Sequence, residues 1–344
     1  MKHIAAAFLL IIFAACTGTP EKKEIEEEDG TSLTDEELAV FIAQEGELPV
    51  TAFPEIWGYV IAGQEAALTR GLPITDVGYF GAEVDMYSAL SKVPNRQSLS
   101  SYTGRVHLVV TCGSYALTYF TLMPESPQRR TLISDLITAS RNFDGINIDF
   151  ENIPPRSGEA FLSFLRELKA GLPPNKIFSV CLYGRTRKLQ NDVYDYEIIS
   201  ALADKIFVMA YDQHWGGGPP GPVASLRWSR SVAEYSLRAI GAQKLIMGIP
   251  FYGRAWADQN HHRALIFTTT QKLIETHHVR EIKRDNGIPT FDYRATVNVK
   301  VYFEDEYSIS ARMEMYKSMG VKAIGFWRIG QETPKVWGIL RVGE

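Results

Sequence analysis

One short stretch of the chain places polar groups in an otherwise apolar setting. Residues 144–151 have the sequence DGINIDFE. Side chains alternate between the two faces of a strand, so Asn147, Asp149 and Glu151 share one face and the apolar residues take the other. Two carboxyls and an amide are costly to bury without a purpose. We therefore predict a chemical site on this face, with carboxyl groups that can transfer protons or bind a cation.

Metal binding is the alternative use of these carboxyls. Asp149, Glu151, Asp212 and His214 offer oxygen and nitrogen ligands to a divalent cation. Their spacing matches no local metal-binding motif, and the histidine pairs at 261–262 and 277–278 are expected on the surface. We therefore predict no metal site and no cofactor.

The composition restricts the class of protein. The chain has 344 residues, of which 45% are hydrophobic and 22% charged, as in ordinary globular proteins. Three cysteines are too few for a disulfide scaffold. A formal net charge of −4 argues against a nucleic-acid-binding protein. Cys112 and Cys181 lie in apolar, strand-like runs, where we expect them to be buried as small hydrophobic residues.

Eight short apolar runs have the near-continuous hydrophobicity of strands in a parallel sheet covered by helices. They are Ile56–Ile61, Asp76–Phe80, Val106–Cys112, Gly145–Glu151, Ile177–Tyr183, Lys205–Tyr211, Leu245–Phe251 and Ala323–Trp327. Helical spacing appears between them at Leu132–Ala139, Ala160–Leu168, Ser231–Ile240 and Ser308–Met319. Eight alternating units predict a (β/α)8 TIM barrel. An open doubly wound sheet is the alternative, but no glycine-rich phosphate loop follows the first strand.

The barrel prediction locates the site and one insertion. Active sites of such barrels lie at the carboxyl ends of the strands, and Glu151 ends the fourth predicted strand. The segment between the seventh and eighth strands is long and includes the strand-like run Val297–Phe303. We predict a small α+β insertion there, at about 254–305.

The amino terminus has the features of an export signal. Lys2 and His3 precede an apolar run through Ala15 that is too short to span a bilayer. The residues FAAC at 13–16 resemble a bacterial lipobox, which predicts a signal peptide at 1–15 and lipidation of Cys16. Residues 16–48 have a net charge of −9 and are expected to form an acidic tether, which leaves +4 on the catalytic barrel at 49–344.

The residues at the ends of three predicted strands resemble glycoside hydrolase family 18, the chitinase-like enzymes. That family has D-G-x-D-x-D-x-E on its fourth strand, which 144–151 matches except that Asn147 replaces the middle Asp. The sequences MAYD at 209–212 and GFW at 325–327 also match, and the resemblance covers about residues 50–335. Asn147, His214 and the PPGP sequence at 219–222 are similar to the branch that contains spore-cortex-lytic glucosaminidases.

This resemblance implies a retaining mechanism in which the substrate's own N-acetyl oxygen attacks the anomeric carbon. Glu151 would be the acid and then the base, with a pKa raised by apolar neighbours and by Asp149. Asp149 would hold the acetamido N–H, and Tyr211 would orient the acetyl oxygen. Asn147 would donate a hydrogen bond that favours ionised Asp149.

The resemblance also implies residues that bind the sugar. Trp327 would form an apolar floor under the sugar, because the C–H-rich faces of sugars stack on aromatic rings. Met209 would pack beneath the acetyl pocket, and Asp212 would contact sugar hydroxyls. His214 either lines the pocket or has a structural role.

Together these observations predict an exported glycoside hydrolase acting on β-linked N-acetylglucosamine glycans. The expected partners are such a polysaccharide and, through the lipid anchor, the membrane of a bacterial cell envelope. The chain is expected to be a monomer. Peptidoglycan glycan, chitin oligomers and host N-glycan cores all remain open as substrates. A non-catalytic sugar-binding lipoprotein of the same fold is the alternative.

Overall fold

The computed structural model describes residues 47–257 and 262–344. The predicted signal peptide, Cys16 and the tether through residue 46 lie outside the described residues. So does His261 in the first histidine pair. Within the described ranges, no helix is both long enough and apolar enough to cross a membrane.

Sixteen strands, β1 to β16, form three sheets in the described residues. Eight of them build a central parallel barrel: β2 (Glu55–Ile61), β3 (Asp76–Val84), β5 (Arg105–Cys112), β6 (Gly145–Phe150), β7 (Ile177–Tyr183), β8 (Lys205–Met209), β9 (Leu245–Pro250) and β15 (Ala323–Trp327). Because β2 pairs with both β3 and β15, the ring is closed. The predicted (β/α)8 TIM barrel is therefore confirmed.

Short strands flank the barrel. β4 (Leu90–Ser91) pairs antiparallel with β3, and β1 (Thr51–Phe53) pairs in parallel with β16 (Leu340–Val342). The sixth barrel strand, β8, ends at Met209, two residues before the predicted end. Beyond it Asp212 has a φ of +58°, which an extended strand does not allow.

The helices cover the barrel unevenly. Those after the third to seventh barrel strands are α1 (Tyr115–Leu122), α2 (Pro127–Ser140), α3 (Gly158–Gly171), α4 (Tyr196–Leu202), α5 (Leu226–Ala239), α6 (Phe267–Thr276) and α7 (Glu306–Ser318). The four predicted helices match α2, α3, α5 and α7. The crossovers after β2 and β3 contain no α-helix: the first has the 3-10 turn Glu65–Ala67, and the second has β4 and the 3-10 turn Arg96–Leu99. Alternation of strand and helix is therefore incomplete at the start of the barrel.

The predicted insertion is a five-stranded antiparallel sheet with helix α6. Its strands are β10 (Tyr252–Ala257), β11 (His262–Ile266), β12 (Lys283–Asp285), β13 (Ile288–Arg294) and β14 (Asn298–Tyr302). They are arranged in the order β11-β10-β14-β13-β12. The insertion starts at Tyr252, immediately after β9, so its first strand continues the seventh barrel strand toward the site.

A polar cluster closes the amino-terminal end of the barrel. Asp76 is fully buried and accepts hydrogen bonds from Arg105 Nε at 2.6 Å and from His107 Nε2 at 2.7 Å. The His107 ring stacks on Trp57 with centroids 4.2 Å apart. Although burial opposes ionisation, the hydrogen bonds from His107 and Arg105 lower the pKa of Asp76 to about 2. This end of the barrel is therefore held by an ionised carboxyl far from the predicted site.

Candidate active site

The polar face of β6 lies against a second polar face on β7. The register pairs Asn147 with Ser179, and the Asn147 amide Nδ2 donates to Ser179 Oγ at 2.8 Å. Two rungs further on, Tyr183 Oη donates to Glu151 Oε2 at 3.0 Å. Cys181 occupies the rung between them, at the level of Asp149. Asn147, Asp149 and Glu151 thus each have a neighbour on β7.

Glu151 stands at the carboxyl rim of the barrel and is half-buried. Its loop is held by Tyr194, whose Oη donates to the Phe150 carbonyl at 3.1 Å and accepts from Ile153 N–H at 3.2 Å. Burial, together with the charge of Glu151, raises the pKa of Tyr183 far above its ordinary value. Tyr183 therefore stays a neutral donor that orients the Glu151 carboxyl at any accessible pH.

Asp149 lies one rung deeper and is only 7% exposed. Its Oδ1 has no hydrogen-bond partner among the described residues. Burial, and then the charge of Glu151, raise the pKa of Asp149 well above its ordinary value. Each carboxyl therefore disfavours ionisation of the other, and the two titrate as a pair.

Asn147 is fully buried beneath Asp149. Its Oδ1 accepts from Tyr59 Oη at 3.0 Å and from Cys181 Sγ at 3.2 Å, while its amide donates to Ser179. The prediction that Asn147 donates a hydrogen bond to Asp149 is therefore wrong. The amide is directed to β7 instead, and its burial leaves Asn147 supporting the site from below.

Aromatic rings form the floor of the opening. Trp327, at the end of β15, lies 5.0 Å from the Phe80 ring and 5.5 Å from the Tyr59 ring, centroid to centroid. Met209 and Tyr211 pack with Trp327 against the apolar cluster that fills the barrel interior. Burial raises the pKa of the Tyr211 hydroxyl, which therefore remains a hydrogen-bond donor.

Asp212 is joined to the insertion. Its Oδ1 accepts from Tyr252 Oη and from Arg254 Nη2, both at 2.7 Å. Both donors belong to β10, where they are two positions apart and therefore lie on the same face. The ring of Tyr252 also packs edge-on against Tyr211 at 6.2 Å. The insertion thus orients Asp212, with 42% of that side chain exposed at the rim.

His214 stabilises the loop that follows β8. Its Nδ1 donates to the Pro222 carbonyl at 2.8 Å, which closes the segment 214–222. A Cβ on Gly221 would lie 2.5 Å from the His214 ring, so only glycine fits there. Of the two roles predicted for His214, lining the pocket or stabilising the structure, the hydrogen bond to Pro222 supports the structural one.

The barrel brings six of the predicted site residues to its carboxyl end, with Asn147 directly below and His214 in the adjacent loop. The six are Asp149, Glu151, Met209, Tyr211, Asp212 and Trp327. The metal alternative receives no support from the contacts of Asp212 and His214, which are engaged with Arg254 and Pro222. Sequence reasoning missed Tyr59, Cys181, Tyr183, Tyr252 and Arg254. The period-two pattern of the β7 run, with Ser179, Cys181 and Tyr183 on one face, was the available signal.

Comparison with known proteins identifies the family. The model of "Glycosyl hydrolases family 18" matches residues 83–332. An uncharacterised glycosylase of Bacillus subtilis, YvbX, is 29% identical over 64% of this chain and 68% of its own. The cortical fragment-lytic enzyme of Bacillus anthracis is 28% identical over 65% of this chain, and the match spans 55% of that enzyme. This chain thus corresponds to little more than half the length of that relative.

Solved structures show the same fold. The spore cortex-lytic enzyme SleL of Bacillus cereus superimposes with a TM-score of 0.73 at 24% identity, over 86% of this chain and 75% of SleL. A chitinase of Chromobacterium violaceum gives a TM-score of 0.75 at 22% identity, over 83% and 97% of the two chains. Because the family model covers well over half of the sequence, the chain belongs to glycosyl hydrolases family 18 and is a glycoside hydrolase.

Proposed function

We propose that the chain is an exported hydrolase that cleaves β-linked N-acetylglucosamine glycans with retention of configuration, using the substrate's acetamido group as the nucleophile. The observation that supports this most is the pair formed by a half-buried carboxyl at the rim, Glu151, and a buried carboxyl one rung deeper, Asp149. One carboxyl can reach a glycosidic oxygen, and the other lies too deep to be an obvious nucleophile.

Glu151 acts as the proton donor in the first step. Its proton moves to the glycosidic oxygen as the C1–O bond breaks, and the acetamido oxygen forms a new bond to C1. Water then adds to C1 as the bond between C1 and the acetamido oxygen breaks, and the water gives a proton back to Glu151. The acid of the first step is therefore the base of the second. The hydroxyl of Tyr183 donates to this carboxyl at 3.0 Å and orients it.

Asp149 and Tyr211 act on the acetamido group. The oxazolinium ion formed by the ring closure carries positive charge and an N–H. An ionised Asp149 below it accepts that N–H and stabilises the charge in a water-poor setting, where such a contact has its greatest effect. Tyr211 donates to the acetyl oxygen and directs it to C1. Trp327 supports the apolar face of the same sugar.

We propose a peptidoglycan-type glycan as the substrate and a chitin-type glycan as the second candidate. The cortex-lytic names of two relatives support the first, and the chitinase neighbours support the second. The net +4 of residues 49–344 suits an anionic glycan. Export and lipid attachment at Cys16 are supported by the apolar run and the FAAC sequence, and place the enzyme in the cell envelope.

The test is mass analysis of products from three substrates: peptidoglycan, chitin oligomers and a glycopeptide. We expect cleavage next to N-acetylglucosamine in at least one of them. Glu151→Gln should bind the same glycan with turnover lower by roughly 10²–10⁴-fold, the usual effect of losing a general acid. Binding by the wild type without cleavage of any glycan would instead support the sugar-binding protein considered above.

A further inference from the structure

Cys181 is buried inside the active-site cluster, although its sequence context is that of an ordinary apolar strand. It is 4% exposed and lies in the barrel interior. Its Sγ is 3.2 Å from Asn147 Oδ1 and 3.5 Å from Tyr59 Oη. The rungs on either side, Asn147 with Ser179 and Glu151 with Tyr183, are joined by hydrogen bonds. Cys181 is therefore the β7 neighbour of Asp149.

The hydrogen bonds around Asn147 leave the thiol proton free to turn. A thiol has one proton, and Asn147 Oδ1 already has a second donor in Tyr59 Oη at 3.0 Å. If the Cys181 proton turns away, the Asn147 carbonyl stays satisfied. Asp149 Oδ1, by contrast, is buried with no hydrogen-bond partner among the residues that the structure describes. An ionised Asp149 needs a donor there, since an unsatisfied buried anion is very costly.

We propose that Cys181 is a positioning residue that donates its thiol proton to Asp149 when that carboxyl is ionised. It thereby takes the place of the second carboxyl that would share a proton with Asp149 if residue 147 were an aspartate. The inference rests on the proposed function for its kinetic readout. Burial and the charge of Glu151 raise the pKa of Asp149, and a hydrogen bond from Cys181 acts in the opposite direction. Burial raises the pKa of the thiol itself, which keeps its proton available.

The groups that face Asp149 come from several elements. On its own strand the neighbour is Glu151, and β7 contributes Cys181. The other titratable groups near Asp149 are four tyrosines whose pKa values are raised, first by burial and also by the charge of Asp149: Tyr59, Tyr183, Tyr194 and Tyr211. These tyrosines stay neutral in the working pH range. Only the carboxyl pair titrates there, and the acidic limb of a pH–rate profile reports the loss of its first proton.

The test compares pH profiles of kcat/KM for three variants. Cys181→Ala removes the donor, so the pKa of Asp149 rises and the acidic limb should move up by roughly half to one pH unit, with a three- to tenfold loss of rate below it. Cys181→Ser keeps a donor, so its limb should stay at or below the wild-type position. Cys112→Ala is the matched control, because Cys112 is equally buried and free but lies on β5.

Two results would overturn the proposal. One is an acidic limb of the Cys181→Ala profile that stays at the wild-type pH. The other is an acidic limb of the Cys181→Ser profile that moves to higher pH. The serine variant decides the question if the alanine variant fails to fold. A second readout needs no turnover: the infrared difference between wild type and Asp149→Asn gives the carboxyl titration of Asp149. An inactive wild type would count against the proposed function alone, while that titration still tests Cys181.

Discussion

Tyr183→Phe isolates the hydrogen bond that holds the proposed acid. The change removes one hydroxyl, which donates to Glu151 Oε2 at 3.0 Å, and keeps the ring that packs edge-on against Tyr194 at 5.0 Å. A hydrogen bond to a charged group is worth about 1.5–3 kcal/mol. If about half of that orients the carboxyl in the transition state, kcat/KM should fall by roughly three- to tenfold. The same loss disfavours ionised Glu151, so the basic limb should move to higher pH.

The assay is the pH dependence of kcat/KM on an N-acetylglucosamine oligomer, with thermal unfolding as a check on the fold. Tyr235→Phe is the control, because Tyr235 stacks on Tyr196 from the outer helix α5 and also loses one hydroxyl. We expect the control to match wild type. A Tyr183→Phe enzyme with unchanged kcat/KM and an unchanged basic limb would refute this role of Tyr183.

Three further predictions concern other parts of the chain. Asp76→Asn should lower the free energy of unfolding by roughly 2–3 kcal/mol, as measured by urea titration, because the pKa of Asp76 is lowered from 3.8 to about 2 and each unit corresponds to about 1.4 kcal/mol. Because the pKa of Asp76 is about 2 against an ordinary 3.8, the wild type should keep this contribution above pH 4 and lose it as the pH falls toward 2, whereas the variant should not. Arg254→Gln should leave Asp212 held by Tyr252 alone and raise KM more than it lowers kcat, whereas Arg263→Gln on the exposed face of β11 should leave both unchanged. Cys16→Ser should release a soluble protein from a detergent fraction, and an intact mass with Met1 retained in the wild type would contradict the anchor.

The barrel and the acidic strand could be predicted because both depend on periodicity within one segment. Alternation over 144–151 placed Asn147, Asp149 and Glu151 on one face, and the structure shows these three on one face. The crossovers after β2 and β3 could not be predicted in the same way. They are long enough for helices, but contain only 3-10 turns and the short strand β4, so the length of a connection did not determine its structure.

Contacts between strands could not be predicted, because they depend on register. Nothing in the sequence pairs Asp149 with Cys181 or Asp212 with Arg254. The direction of the Asn147 amide depends on Ser179, which a strand 32 positions later supplies. Cys181 was expected to be an ordinary core residue. It is buried as expected, but among polar groups that become neighbours only when β6 and β7 pair.

The central claim is that the nucleophile belongs to the substrate, and one comparison tests it most directly. The wild-type enzyme is given two glycans that differ only in the acetyl group of the sugar at the cleavage point. We predict that the N-acetylated glycan is cleaved and that the glycan with a free amine is inert, since it lacks the attacking oxygen. Equal cleavage of the two glycans, with a glycosyl ester trapped on Asp149, would contradict the account.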